Sequence, residues 1–597
     1  MQRGRVSRWM RLAALADLAV LVLAAWLLWP QHAGGYGLGH DMVFTPHQPL
    51  GLDSVGLGTT SPRAVPLDAL VALAGKLIGG AATGRIALLV PLLAAGWGSI
   101  RLLGSRCLSA RLLVGALAIW NPFVVERLAL GQWALLWAYG ALPWLVRAAH
   151  RIRTGHPTRT SWAVLVGCLA ACAITPTGAL IGAATAVVLG WPAPANARRL
   201  AGLVTAAVLV QLPWLLPALL STASATSDPH AVAAFAARSE RSGGALLSLL
   251  GLGGSWSSDV APASRAGVLG YLSTLLVVLA LALGLPRFGP AVLRSRLVWL
   301  AAGGFVLAAA ATVPGLSAAL RWAVATLPGA GLLRDGQKWL MPFVLLAVLA
   351  AGAAIEVLAS EPFSSRLEPA ARPPWRALLC VGALALPLLV LPDAPATLRV
   401  PLTPVHYPAD WSAVAARLEG APPSSGSVLA LPFASYRAFD WAPGRSVIDP
   451  APRLLPVPVV VDDRLAVSGR LLAGEDRTAA TIGQLLATDP VPAALAAGLA
   501  GHGIGWVLVE AGTPGPPLPD LTGLRQVYAG TSLQLYQIPG PIKVTERGWA
   551  QRWLVIGTDL LIAALILLAV LVGIGELARR RRSVLLHSPV TTTSEDL

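Results

Sequence analysis

The chain alternates between long apolar runs and short polar breaks rich in arginine, glycine or proline. Runs at 12–29, 85–104, 108–125, 131–147, 200–220, 266–285, 297–315, 339–359, 377–392 and 552–574 come near the length a helix needs to cross a hydrocarbon layer of about 30 Å. Two further runs, 162–174 and 179–191, fall short of about 20 residues and flank Thr175-Pro176-Thr177-Gly178. They predict either a crossing of a locally thin bilayer or a re-entrant hairpin buried in protein. The whole pattern predicts a polytopic α-helical membrane protein of about a dozen transmembrane helices.

The rhythm changes after residue 392. SVLALPF, PVVVDD, GWVLVEA and SLQLYQI read as short strands bounded by Pro, Gly and Ser, and 477–500 reads as helical, ending at Gly501. Helix followed by strand in PAALAAGLAGHGIGWVLVE points to a small α/β domain. The expected organisation is a transmembrane core over 1–392 with external loops 30–83, 221–265 and 316–338. An extracytoplasmic α/β domain over 393–548 follows, and 549–597 supplies a final transmembrane helix with a basic cytoplasmic tail.

Charge sets the orientation. Arginines gather in every second break: Arg3, Arg5, Arg8 and Arg11; Arg106; Arg147, Arg151, Arg153 and Arg159; Arg198 and Arg199; Arg287, Arg294 and Arg296; Arg366, Arg372 and Arg376; Arg579 to Arg582. By the positive-inside rule these breaks are cytoplasmic, so both termini are cytoplasmic in a multi-pass plasma-membrane protein. The first run ends in Trp26, Trp29 and Pro30 without a small-x-small site, which reads as a retained anchor rather than a cleaved signal.

Composition agrees. Of 597 residues 55% are hydrophobic and 12% charged, against about 25% charged in soluble proteins. The net charge of +16 is the arginine of the inner loops and implies no nucleic-acid partner. Cys107, Cys168, Cys172 and Cys380 all lie in or beside the spans, so the external domain has no disulfide. Cys168 and Cys172 stand one helical turn apart, more in keeping with small packing residues than with a metal pair.

Three external segments carry polar residues that call for a chemical role. His40-Asp41 sits in GYGLGHDMVFTPHQP, where Asp41 suits a base for a hydroxyl and a Gly-rich turn is the plain alternative. Glu126, Arg127, Gln132 and Trp133 occur in WNPFVVERLALGQWALLWAYGALPWL. The acid and base there suit a self-satisfied ion pair, and Trp120, Trp133, Trp137, Tyr139 and Trp144 suit interface anchors or sugar-stacking platforms equally. Arg334, Asp335 and Lys338 stand in GLLRDGQKW. Lys338 is one of three lysines in the chain, and Arg with Lys above a helix entry suits a phosphate clamp, with interfacial snorkelling as the alternative.

No phosphate-binding GxxxxGK[ST] loop, HExxH, GxSxG or CxxC occurs. Asp462-Asp463 and Glu475-Asp476 lack the order of a calcium loop. Asp17 and Glu356 lie inside the apolar runs and are the candidates for a transporter's coupling site.

The segments GHDMVFTPHQP, SPRAVPLDALVAL, WNPFVVERLALGQWALLWAYGALPW and LRDGQKW, placed on this topology, resemble the GT-C superfamily of membrane glycosyltransferases. They look like actinobacterial membrane proteins related to the arabinofuranosyl- and mannosyltransferases of cell-wall glycan assembly. The resemblance implies an inverting, extracytoplasmic transfer of a sugar from a polyprenyl-phosphate donor to a cell-envelope glycan or glycolipid acceptor. It implies Asp41 as catalytic residue. By location it implies Arg334 and Lys338 as binders of the lipid phosphate; Arg127, Gln132 and Trp133 are expected to shape the sugar pocket, and His40 and Asp335 complete the expected substrate-binding residues. The single Asp, where many members carry an acidic pair, assigns no metal ligands and leaves a divalent cation open as the only cofactor. A transporter or flippase of lipid-linked saccharides, or a non-catalytic envelope-assembly partner, is the alternative function. The lack of an obvious repeat between the two halves speaks against transport.

Overall fold

The computed structural model describes residues 2–58, 61–155, 157–191, 196–221, 223–360, 372–544 and 547–586. Arg366 and the tail beyond 586 lie outside them. Every apolar run of the sequence falls on helix, from Gln2–Leu27 to Trp549–Leu586. Six of these helices are by themselves long and apolar enough to cross a membrane, and eight if two bent pairs each count as one. Among the described residues the structure therefore gives six to eight clear candidate spans, not the dozen expected. The difference has a physical cause. Gln2–Leu27 and Trp133–Arg153 carry polar ends, and Arg159–Cys172 and Pro176–Gly190 are too short.

Trp133–Arg153 is central, packed between Gly80–Leu103 and the short pair Arg159–Cys172 and Pro176–Gly190. Its aromatic residues explain how. Pro91 lies inside Gly80–Leu103 and has no N–H for the Ala87 carbonyl, so that oxygen takes the Trp137 indole N–H at 3.0 Å. Trp144 bonds the Ala94 carbonyl at 2.9 Å, Tyr139 the Ala118 carbonyl at 2.8 Å, and Trp120 the Leu391 carbonyl at 2.9 Å. These rings satisfy backbone groups between helices. The sugar-platform alternative finds no support in their placement.

Asp17 is likewise occupied. Arg101 holds both of its carboxylate oxygens, at 3.1 and 3.0 Å, which makes the pair a helix-to-helix tie.

The C-terminal region forms the expected α/β arrangement. Two strands, β1 Leu38–Gly39 and β2 Met42–Val43, stand far ahead of it in the chain, and its own are β3 Ser427–Leu431, β4 Tyr436–Arg437, β5 Val447–Ile448, β6 Val459–Val460, β7 Leu465–Val467, β8 Arg470–Leu472, β9 Ile504–Glu510, β10 Arg525–Ala529 and β11 Leu533–Gln537. The main sheet runs β10-β11-β9-β3-β6, with β3 parallel to both neighbours and β9-β11-β10 antiparallel. Trp411, Val414 and Leu418 cover one face with Val428 and Leu508. Ile482, Leu495 and Leu499 cover the other with Leu429 and Val507. The helical stretch expected over 477–500 is two helices, Arg477–Ala487 and Pro492–Gly501, because Pro490 and a left-handed Asp489 break it.

The region is tied to the helical core by polar contacts to the loops between its helices. Tyr36 and Val405 exchange backbone bonds at 2.9 Å, Arg63 pairs with Asp463 at 2.7 Å, Arg453 with Asp68 at 2.9 Å, and Arg334 with Glu475 at 2.9 Å. Beneath this seam sits Asp53. Burial, reinforced by Asp68 and partly offset by Arg547, pushes its carboxyl up to about 6. A raised carboxyl pKa means that the fold favours the neutral acid. That contribution is complete below the unfolded value near 4 and is lost as pH rises through about 6. Asp53→Asn is expected to raise the thermal midpoint at pH 7.5 by about 2 °C or more and to leave it nearly unchanged near pH 4. Thermal unfolding of the detergent-solubilised protein at the two pH values checks both halves.

Candidate functional site

His40 and Asp41 form the two-residue turn of the β1–β2 hairpin, in which Leu38 pairs Val43 and Gly39 pairs Met42. The hairpin is wedged between core and domain. On the core side the Asp41 N–H bonds the Leu130 carbonyl at 3.1 Å. On the domain side His40 N–H bonds Ser446 O at 3.2 Å, and Ile448 N–H bonds His40 O at 2.8 Å. His40 takes a left-handed conformation, φ 47°, one that His tolerates better than branched residues. Burial holds its imidazole below the usual value although Asp41 and Asp259 pull the other way, so the ring is neutral at pH 7.

The opposing surface comes from the Pro122–Ala129 helix. Asn121 caps it through Val124 N–H at 3.1 Å, and Pro122 starts it. It ends at Gly131, φ 72°, where a Cβ would stand 2.3 Å from Gly39 O and 2.4 Å from Met42 N. Only glycine lets the hairpin approach this closely. Gln132 follows at once and donates its side-chain N–H to Asp41 Oδ2 at 3.0 Å. From the domain, Tyr436 donates its hydroxyl to Asp41 Oδ1. Burial beside Asp41 pushes that phenol well above its ordinary range, so it stays a donor.

Behind Gln132 lies Arg127, fully buried. It grips Asp335 with two bonds of 2.9 and 3.2 Å and donates further to Gln132 and Gln337. Lys338 Nζ stands 3.4 Å from Asp335, its side chain 27% exposed. Burial works against the Asp335 charge, but Arg127 and Lys338 hold its carboxyl below the usual range. Gln337 passes the chain on to Glu126, which also accepts Ser255 N–H at 3.2 Å and faces Glu240. Burial opposes the Glu240 charge as well, and Arg265, bonded at 2.8 and 3.1 Å, holds its carboxyl below the usual range.

The structure thus joins Asp41, Gln132, Arg127, Asp335 and Lys338 in one hydrogen-bonded chain, with His40 in the same turn. It does not join Arg334 to them. That guanidinium turns to Glu475 and lies 5.6 Å over Phe235, so Arg334 and Lys338 hold different partners and do not form the single clamp expected. Trp133 is 6% exposed and packs on Phe44 at 5.0 Å, inside the core rather than facing a ligand. The Glu126–Arg127 pair expected from adjacency is not formed either, since the two side chains take Gln337 and Asp335 as separate partners.

Sequence reasoning missed Tyr436, Gln337, Glu240 and Arg265. Gln337 lay within a segment already singled out, but Tyr436 meets Asp41 across 395 positions of sequence and carries no local signal. Both Asp41 oxygens are engaged by protein donors, and among the described residues no three His, Cys, Asp or Glu converge as a metal would need. The side chains present do not fit a divalent cation at Asp41.

Gly131→Ala is expected to displace the Asp41 turn, because the atoms it meets are backbone and must move. Gly104→Ala, at φ 67° with open space around it, is the matched control and costs about 1–2 kcal/mol of backbone strain. Thermal unfolding should rank Gly131→Ala clearly below Gly104→Ala, and only Gly131→Ala should lose function.

No family model matches the chain, and no curated protein matches it. Among solved structures it is similar to the arabinofuranosyltransferase AftD from mycobacteria, with a TM-score of 0.55 and 19% identity over 89% of this chain and 40% of that one. A mutant of the same enzyme aligns equally well, over 42% of its length. The Archaeoglobus fulgidus oligosaccharyltransferase tethered to an acceptor peptide aligns at a TM-score of 0.43 and 11% identity, over 88% of this chain and 74% of that one. The chain spans about two fifths of the arabinofuranosyltransferase it matches. The likeness to the arabinofuranosyltransferase is one of fold alone.

Proposed function

We propose that the chain is an inverting GT-C glycosyltransferase that works at the extracytoplasmic face of the plasma membrane. A polyprenyl-phosphate sugar is the donor and a cell-envelope glycan or glycolipid the acceptor. One observation carries this reading. Asp41 is a half-buried residue whose carboxylate is aimed by donors from two sides, Gln132 of the core and Tyr436 of the domain.

In this reading Asp41 takes the proton of the acceptor hydroxyl as that oxygen attacks the sugar carbon, and the lipid phosphate leaves from the opposite face. Lys338, part-exposed and in the same network, meets the charge that grows on the phosphate. His40 borders the acceptor, and Arg334 with Glu475 fixes the domain over the site. A lipid-linked donor also fits the lack of a nucleotide-binding loop. The paired state of Asp17 favours this reading over a transporter that would use the same carboxylate.

The test is linkage analysis of envelope glycans from a deletion strain complemented with wild type or Asp41→Asn at equal expression. Wild type is expected to restore a missing linkage, and Asp41→Asn to fall short by roughly 10²- to 10⁴-fold in transfer rate. Equal restoration by both removes Asp41 as the base and moves the transporter or scaffold reading ahead. Tyr436→Phe, which loses one donor to Asp41 and keeps the ring, is expected to retain the linkage at a rate reduced about tenfold.

A further inference from the structure

Arg127 is buried to 0% exposure, and its four terminal N–H groups are all used. Two hold Asp335 as a fork, and the outer two go to the side-chain oxygens of Gln132 and Gln337. A guanidinium has no acceptor, so only the oxygen end of an amide can face it. Each amide must then point its N–H₂ group away from Arg127. For Gln132 that direction leads to Asp41, and for Gln337 it leads to Glu126. An unconstrained primary amide turns end for end with almost no change of shape. Reversed, Gln132 would set its carbonyl oxygen against the Asp41 carboxylate and its N–H₂ against Arg127, exchanging two attractions for two repulsions.

We infer that Arg127 is a positioning residue for Asp41 that acts through Gln132, and that neither side chain binds substrate. The inference rests on the reading of Asp41 as the base. It replaces the substrate-binding roles that the sequence suggested for Arg127 and Gln132 with an orienting one. Asp335 compensates the buried guanidinium and fixes its plane, which fixes the directions of the outer N–H bonds. Gln337 extends the same constraint to Glu126, Ser255 and Glu240, so the loop 221–265 is bonded stepwise to the turn that carries Asp41.

A buried Arg–Asp pair that only supports the fold would look similar, as would a pair of substrate contacts. They differ in the quantity each disturbs. Full-length variants are reconstituted into membranes of the deletion strain, which hold the natural donor and acceptor, and donor-lipid extract is titrated while formation of the missing linkage is timed. Gln132→Met, which keeps the length and loses the amide, and Arg127→Lys, which keeps the charge beside Asp335 and loses the planar fork, are compared singly and together. Each is expected to lower the maximal rate roughly 10- to 100-fold with the half-saturating donor level unchanged. The double variant should be no slower than the worse single one, because the two residues act in series.

Multiplying losses in the double variant, or a raised half-saturating donor level at an unchanged maximal rate, would overturn the inference. Should Arg127→Lys fail to fold, Gln132→Met decides alone: a wild-type maximal rate ends the proposal. Asp41→Asn separates the two levels. If it retains activity, the base reading falls and takes this one with it. If it is inactive while Gln132→Met is normal, only the positioning role is lost.

Discussion

A guanidinium buried near the end of an apolar helix is the constraint around which this structure is arranged. Leaving such a charge without a partner costs several kcal/mol, about 3–5 when one member of a buried pair is removed. Arg127 meets the demand with Asp335, Gln132 and Gln337, and each of these partners is thereby held in one direction. Two of them lead on to carboxyl groups, Asp41 and Glu126. The need to satisfy one buried cation therefore organises three elements at once: the β1–β2 hairpin, the 335–338 turn and the 221–265 loop.

The second consequence concerns the α/β domain. Its β4–β5 hairpin brings Tyr436 to Asp41, and β5 bonds the backbone of His40. Arg334–Glu475, Arg63–Asp463 and Arg453–Asp68 hold the domain in that position. Surface ion pairs of this kind are individually weak, but several acting across one seam fix an orientation. Under the proposed function the domain completes the surroundings of the reacting group.

Much of this was legible in the sequence. Apolar runs located the helices because a helix must be apolar where it lies in hydrocarbon, and four of the five strands of the main sheet stood out as short apolar runs bounded by Pro, Gly and Ser. Asp41, Arg127, Gln132, Asp335 and Lys338 stood out because charge and amide groups beside apolar runs are costly. Their pairing did not. Glu126 and Arg127 are adjacent, yet successive residues on a helix face different ways, and each finds a distant partner. The Trp and Tyr residues of 120–144 read equally as anchors or sugar platforms, and only the geometry of proline-freed and neighbouring carbonyls decides for packing. Tyr436 was invisible, because nothing local to SYRAF indicates a contact with a turn near the other end of the chain.

Under the proposed function Asp41, aimed from both sides, faces the sugar that is transferred. The most direct measurement is a cryo-EM structure of the full-length Asp41→Asn protein in nanodiscs with a polyprenyl-phosphate sugar. The sugar is expected beside the substituted side chain of the hairpin turn, with an opening for an acceptor hydroxyl between them and the phosphate toward Lys338. A well-ordered donor bound away from that turn, with the introduced amide still sealed between Gln132 and Tyr436, would contradict it.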